Sequence, residues 1–223
     1  MKNIKNIFIV SCAILLISIG FVSCDKDNNA PPTLTLNGAT TQTLCLGDAY
    51  TELGASAVDA NGDKVEVTIT SNVDSNAIGN YVVEYTTTDV NGNIASAQAA
   101  INIEFCLTSL YGEYSVSHDC TAMSQNLISD TQTIKLGSGE NQFIIENFNS
   151  VLNEVTGSID LTAMTVTIPE ETIGMSGVDV TISGTGTINN NGDIEITYSY
   201  SGSAQGFPVP GGSGTCTATY TKE

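Results

Sequence analysis

The side chains able to do chemistry are few: six cysteines, one histidine, and two short runs rich in Asp and Asn. His118 precedes Asp119, a base beside a carboxylate, but among so many serines the spacing names no nucleophile for it. At a strand end beside Cys120, His118 reads as structural. Glu170-Glu171 supplies adjacent carboxylates of the kind general acid–base chemistry uses. Neighbours in an extended chain point to opposite faces, and after Pro169 the pair is expected in a solvated turn. There is no tryptophan to stack on sugar rings, although Tyr111, Tyr114, Tyr198 and Tyr200 offer smaller aromatic faces. No catalytic residues are assigned, and the expectation is a protein that is not an enzyme.

The two acidic runs are Asp59-Ala60-Asn61-Gly62-Asp63 and Asp89-Val90-Asn91-Gly92-Asn93. Hard cations collect six to eight oxygens. If the runs converge, Asp59, Asn61, Asp63, Asp89 and Asn93 form a candidate Ca2+ site, the one cofactor the chain hints at. The competing explanation is that Asp and Asn before Gly are what tight hairpins need, because they tolerate left-handed φ. Neither run has the downstream bidentate Glu of an EF-hand.

The cysteines divide by position. Lys2 and Lys5 precede an apolar run from Ile7 to Val22, the layout of a secretory leader. Its end, Gly20-Phe21-Val22-Ser23-Cys24, resembles a lipobox, with Phe21 where Leu is usual. The resemblance implies a leader over residues 1–23 and lipidation of Cys24. Acyl chains anchor through buried CH2 groups worth about 0.8 kcal/mol each. Residues 24–32 form a polar tether ending in Ala30-Pro31-Pro32, and the acidic stretch after Cys24 is similar to the surface-export signals of outer-membrane lipoproteins. The expected address is therefore exported, lipid-anchored to the outer membrane, and at the cell surface. With Cys12 in the leader, four cysteines remain: Cys45, Cys106, Cys120 and Cys216. An even number in an exported chain points to disulfides, with three possible pairings. No pair has zinc-ligand spacing.

Charge excludes one class of partner. The formal charge is −18, and loss of Lys2 and Lys5 leaves four lysines against 24 carboxylates, or −20, with no arginine. Such a surface repels phosphate backbones, so nucleic acid is not an expected partner. Abundant Thr, Ser, Asn, Gly, Val and Ile suit twisted sheets joined by tight turns.

Two β regions must position these residues. From Thr33 to Phe105, short alternating runs recur: 33–36, 43–46, 55–58, 64–70 with Val65, Val67 and Ile69 on one face, 80–88 with Tyr81, Val83 and Tyr85 on one face, and 97–104. Such spacing, punctuated by Asn-Gly, predicts an antiparallel sandwich. Gly47-Asp48-Ala49-Tyr50, Gly54-Ala55, Ala57-Val58-Asp59, Asn61-Gly62-Asp63, Gly79 to Tyr85 and Asp89 to Asn93 together resemble the bacterial surface Ig-like domain, a type also found in pesticidal crystal proteins. The resemblance covers about 70 residues. It implies a spacer or adhesion module over 33–106 without catalytic residues. It also implies that the two Asn-Gly turns lie at one end of the sandwich, and that Cys45 and Cys106 sit on adjacent edges and bridge.

Residues 107–223 restart the pattern as a second antiparallel β-meander, with strands expected at 113–118, 131–136, 142–148, 154–161, 164–168, 179–188, 194–200 and 215–221. Short connections favour sequential pairing, closing into an up-and-down barrel or leaving an open sandwich. A Cys120–Cys216 disulfide requires the first and last strands to be neighbours. Leu110-Tyr111-Gly112-Glu113-Tyr114 resembles the start of lipocalin-like domains, and the stretch is similar to C-terminal domains of small exported lipoproteins. Gly206 to Gly212 is expected as a flexible loop, with Phe207 a candidate binding residue. The functional expectation is a non-catalytic surface lipoprotein whose Ig-like module presents the second domain for binding or adhesion. Its partners would be the membrane through the lipid, and an unknown protein or glycan. The alternative is a small-ligand carrier with the barrel as its container.

Overall fold

A computed structural model of the chain describes residues 29–122, 125–149, 153–175, 178–204 and 207–223. Cys24 and the expected leader over 1–23 lie outside the described residues. The first half contains β1 (Thr33–Leu36), β2 (Thr41–Cys45), β3 (Ala55–Val58), β4 (Lys64–Val65), β5 (Val67–Ser71), β6 (Gly79–Thr88) and β7 (Ile94–Glu104). They form two sheets, ordered β1-β3-β4 and β2-β7-β6-β5, with β2 parallel to β7. Alternation sends Val83, Tyr85, Ala99, Ile101 and Ile103 between the sheets, all buried. The run expected as one strand over 64–70 is broken at Glu66, where the chain passes from one sheet to the other. The Thr87 hydroxyl holds that crossing by donating to the Glu66 carbonyl at 2.8 Å. Inward alternation survives the break, since Val65 and Val67 remain half-buried on either side of it.

A short 3-10 turn at Leu107–Leu110 leads into the second half. Its strands are β8 (Gly112–His118), β9 (Thr121–Ala122), β10 (Gln125–Asn126), β11 (Thr131–Leu136), β12 (Gln142–Glu146), β13 (Glu154–Asp160), β14 (Thr165–Met175), β15 (Val178–Ile188), β16 (Ile194–Ala204) and β17 (Phe207–Lys222). Apart from the small β9-β10 hairpin, they close into an eight-stranded antiparallel barrel, β11 through β17 and then β8, which returns to pair with β11. Of the two expected outcomes, barrel and open sandwich, the barrel is the one formed.

The barrel is filled. Tyr114, Ile134, Phe143, Ile145, Ile168, Ile182 and Tyr198 point inward and are at most 1% exposed. Inward glycines make room for the large rings. A methyl group on Gly184 would sit 2.9 Å from the Tyr198 ring, and one on Gly157 would collide with Phe143. Polar atoms within this core are paired. Tyr220 donates to Gln132 Oε1 at 3.1 Å, which leaves Tyr198 to donate to Tyr220 at 2.7 Å. Gln132 Nε2 donates in turn to the Ser129 carbonyl at 3.0 Å.

Two expectations about the barrel's far end are corrected. Pro169-Glu170-Glu171 is not a turn. It lies within β14, where the register shifts between Ile168 and Glu171. A bulge there accommodates the residue that lacks an N–H. Nor are Phe207 to Gly212 a loop: they open β17, with Phe207 paired to Ala204 and Pro208 to Ser203.

The halves meet through a continuous apolar core that includes Leu46, Phe105 and Leu110. Ile78 N donates to the Asn190 carbonyl at 3.0 Å, Ser109 Oγ to the Leu46 carbonyl at 3.0 Å, and Lys222 Nζ to the Ser109 carbonyl at 2.8 Å. Gly192, at φ +86°, lies so close that a Cβ there would meet Leu46 Cδ2 at 2.8 Å.

Candidate functional site

Both disulfides form. Cys45–Cys106 has a Cα–Cα distance of 5.4 Å and Cys120–Cys216 one of 4.9 Å. The first staples the end of β2 to the chain leaving β7, at the junction between the halves. The second ties β8's exit to β17, as closure of the sheet requires. Each closes a long loop, worth about 4 kcal/mol in the chain-entropy account.

The two Asp-Asn runs are hairpin turns of one design. Asp59 Oδ1 accepts from the backbone N–H groups of Asn61 and Asp63, both at 2.8 Å. Asp89 Oδ1 accepts from Asn91 at 2.9 Å and Asn93 at 2.8 Å, and its other oxygen from Asn93 Nδ2 at 2.8 Å. These bonds hold the Asp89 carboxyl below the usual carboxylate range, the Asn93 side chain contributing most. A third copy is Asn189-Asn190-Asn191-Gly192-Asp193, where Asn189 Oδ1 accepts from Asn191 and Asp193 in the same way. One oxygen each of Asp59 and Asp89 is thereby turned onto backbone amides. Asp59, Asp63 and Asp89 do not gather into a three-carboxylate cluster among the described residues. The one cluster of three metal-ligand residue types found there is Asp119, Cys120 and Cys216, whose sulfurs are joined to each other.

The turns do share an end of the sandwich. Thr33 pairs with Val58, which places the tether beside the 59–63 turn. Asn93 Nδ2 donates to Asn29 Oδ1 at 3.0 Å, which places it beside the 89–93 turn as well. The opposite end of the sandwich carries Cys45–Cys106 and the barrel. Within the barrel, the third turn, Gly112 and Lys222 face the sandwich. The ends of β14 and β16 and the start of β17, including Phe207, face away. The chain is thus ordered from tether pole through sandwich and junction to barrel and far tip.

His118 is inward, its side chain 3% exposed, with Nε2 3.0 Å from Asp130 Oδ1. Nδ1 accepts from Cys120 N–H at 3.3 Å, so Nε2 carries the proton and donates to Asp130. Asp119 is occupied elsewhere, accepting from Thr217 N–H at 2.7 Å. Both ring nitrogens are engaged, Nδ1 with the disulfide segment and Nε2 with Asp130. Glu170 is exposed and Glu171 half-buried at the bulge.

One constellation escaped the sequence reading. Glu52 accepts from Tyr50 and Tyr85 hydroxyls, both at 2.6 Å, and from Gly54 N–H at 2.7 Å. Burial pushes its carboxyl up, but the tyrosine and backbone bonds outweigh that and hold it below the ordinary value. Burial and the Glu52 bond raise Tyr85 to about 12 and raise Tyr50 further. Tyr85 is 33 residues away, so only its inward place in the alternation hinted at a partner. Both carboxylate oxygens are used, and the arrangement clamps the connection between β2 and β3 onto β6.

Two surface features remain open. Thr165, Thr167, Thr185, Thr187, Thr197 and Glu195 line a groove of about 470 Å3 on the barrel's outer face. A cleft of about 350 Å3 lies at the junction beside Lys222, whose ammonium already donates to Ser109 O and is pulled below its ordinary pKa by burial. With its interior packed, the described barrel offers no container for a small ligand.

The family of bacterial surface protein Ig-like domains matches residues 34–103. No curated protein matches the chain. Among solved structures, a lipoprotein from Bacteroides thetaiotaomicron aligns at 16% identity and a TM-score of 0.32, over 85% of this chain and 100% of its own. The CBM51-2 (in complex with GlcNAc) and INT domains of Clostridium perfringens ZmpB align at 13% identity and a TM-score of 0.28, over 85% of this chain and 43% of theirs. Residues 34–103 thus match the family of bacterial surface protein Ig-like domains, and the chain that bears them is all-β in its described residues.

Proposed function

We propose that the protein is a non-catalytic lipoprotein of the bacterial outer membrane, anchored through Cys24, in which the Ig-like module is a stalk and the barrel is the part presented for binding or adhesion. The observation that carries this reading is the polarity of the molecule. The tether enters at one end of the sandwich, and the barrel leaves from the other. β7, of 11 residues, spans the stalk, roughly 33 Å at the usual rise per residue. The partner is a protein or a glycan outside the cell. The hydroxyl-lined groove on the barrel's outer face, neutral except for Glu195, suits a hydroxylated ligand better than an anionic one. Two features support a passive role: the His118 nitrogens are both committed, and the Glu52 oxygens are all used.

The test is fractionation with surface proteolysis. Wild-type chain in intact cells should sediment with the outer membrane, yield barrel peptides to external protease, and show an acylated Cys24 by intact mass. Cys24→Ala should appear in the soluble fraction. Sedimentation of Cys24→Ala with membranes, or complete protection of the barrel in intact cells, sinks the proposal.

A further inference from the structure

We infer that the tether-side end of the Ig-like module rests on the lipid surface, with Val90 and Ile94 as its contact residues. The inference deepens the anchoring through Cys24 and rests on it.

The molecule contains its own controls. The turns at 59–63, 89–93 and 189–193 share an Oδ1 acceptor at the first residue, Asp in two and Asn in the third, and backbone donors at the same two positions. Their variable positions therefore compare like with like. The second residue of the turn is Ala60, Val90 or Asn190, and the residue after the turn is Lys64, Ile94 or Ile194. Ile194 is buried in the barrel, 1% exposed, and Lys64 is a charged surface residue. Only the 89–94 segment holds two large apolar residues in water, with Val90 96% and Ile94 65% exposed. The turn itself does not call for Val90, since alanine and asparagine serve its copies.

Chain length says what covers them. Asn29 is hydrogen-bonded to Asn93 in this same turn. Five residue steps separate it from Cys24, which an extended chain spans in at most about 18 Å. A lipid on Cys24 therefore confines the 89–94 turn to the neighbourhood of the headgroups, where shallow apolar insertion is favourable. Charge selects the kind of surface. Asp59, Asp63 and Asp89 stand against Lys64 at this end, and the tether adds Asp25 and Asp27 against Lys26. The fitting surface is zwitterionic, not anionic. A lipid anchor alone leaves the stalk free to tilt, and a second contact beside it sets the angle at which the barrel is held.

The chain lacks tryptophan, so Val90→Trp introduces a unique fluorophore. Full-length protein carrying Val90→Trp, purified from its membrane, would be reconstituted into phosphatidylcholine vesicles with spin-labelled quenchers at the headgroup or at the acyl-chain ends. Leu136→Trp, at another exposed position, 60% accessible on the barrel, is the comparison. The expected result is a blue-shifted Val90→Trp emission, quenched several-fold more by the headgroup label than Leu136→Trp is. Ile94→Trp should behave in the same way. Equal quenching at Val90→Trp and Leu136→Trp, with Cys24 acylated by intact mass, overturns this inference and leaves the anchor standing. An unmodified Cys24 in the membrane-purified protein overturns the anchor and this inference together.

Discussion

The two halves are both antiparallel in style, yet they solve burial differently. In the barrel a sheet closed on itself shields most of the described inward residues from both sides. Tyr114, Tyr198, Tyr220, Phe143 and Phe148 are all below 2% exposure. In the sandwich, sheets of three and four strands leave rims. Val83 and Ile103 are fully buried, but Leu34, Leu36, Leu44, Tyr50 and Val67 are only partly covered, and Ile69 is 40% exposed. Where apolar burial is thin, directional bonds take over. The Glu52 clamp, the carboxylate-capped turns and the Cys45–Cys106 staple all belong to the sandwich. The barrel carries bonds of the same kinds, Cys120–Cys216 and the Tyr198–Tyr220–Gln132 chain among them, but adds them to dense packing, whereas the sandwich leans on them with less packing beside them.

The sharpest way to break this comparison is Phe143→Ala. The ring fills the space above Gly157, and its loss should cost about 4 kcal/mol, seen as a lower denaturation midpoint. Ile101→Ala, in the less enclosed core, should cost less; equal losses would dissolve the distinction. Next comes the pair Cys45→Ala and Cys106→Ala, expected to cost about 4 kcal/mol. Hydrogen exchange should then accelerate in β2, β6 and β7 while the barrel strands stay protected. Equal acceleration in the barrel would mean that the halves unfold as one unit. Gly192→Val adds a side chain at φ +86° and against Leu46. We expect a loss of about 2 kcal/mol, with one calorimetric transition splitting into two as the junction loosens.

The smallest effect is Glu52→Gln, about 1 kcal/mol from weakened charge-assisted bonds. Its signature is pH. The folded carboxyl sits below its ordinary value of 4.5, so its stabilisation is complete above that pH and fades as pH falls through the depressed folded value. A plot of Tm against pH should lose part of its acid limb in Glu52→Gln. An unchanged limb would show that the clamp is not an electrostatic support.

The barrel strands were legible because period-2 alternation maps directly onto inside and outside. All eight expected strands are present, and the expected disulfide ends fell on neighbouring edges. What the sequence hid were places where one residue type serves two ends. Pro169 and the run Phe207 to Gly212 look like breakers, yet a bulge lies at the first and β17 runs through the second. Asp59 and Asp89 read as cation ligands or, more readily, as turn formers; each aims an oxygen at backbone N–H groups, a direction that no spacing records. The Glu52 clamp depends on Tyr85, brought close by the sandwich alone. Exposure at Val90 likewise appears only when its turn is set beside its two copies.

The linked tyrosines inside the barrel have an optical consequence. Burial pushes Tyr114, Tyr198 and Tyr220 well above the ordinary phenol value, so these rings cannot ionise while the barrel holds. Their neutral form stabilises the fold fully up to the unfolded value near 10, and that support drains away as pH climbs toward the folded values. With no indole in the chain to mask it, the ultraviolet band of tyrosinate becomes a built-in gauge. The part of that band that arrives late in an alkaline titration, in step with loss of structure, registers the opening of the barrel together with that of the Tyr50–Glu52–Tyr85 clamp, without any label attached.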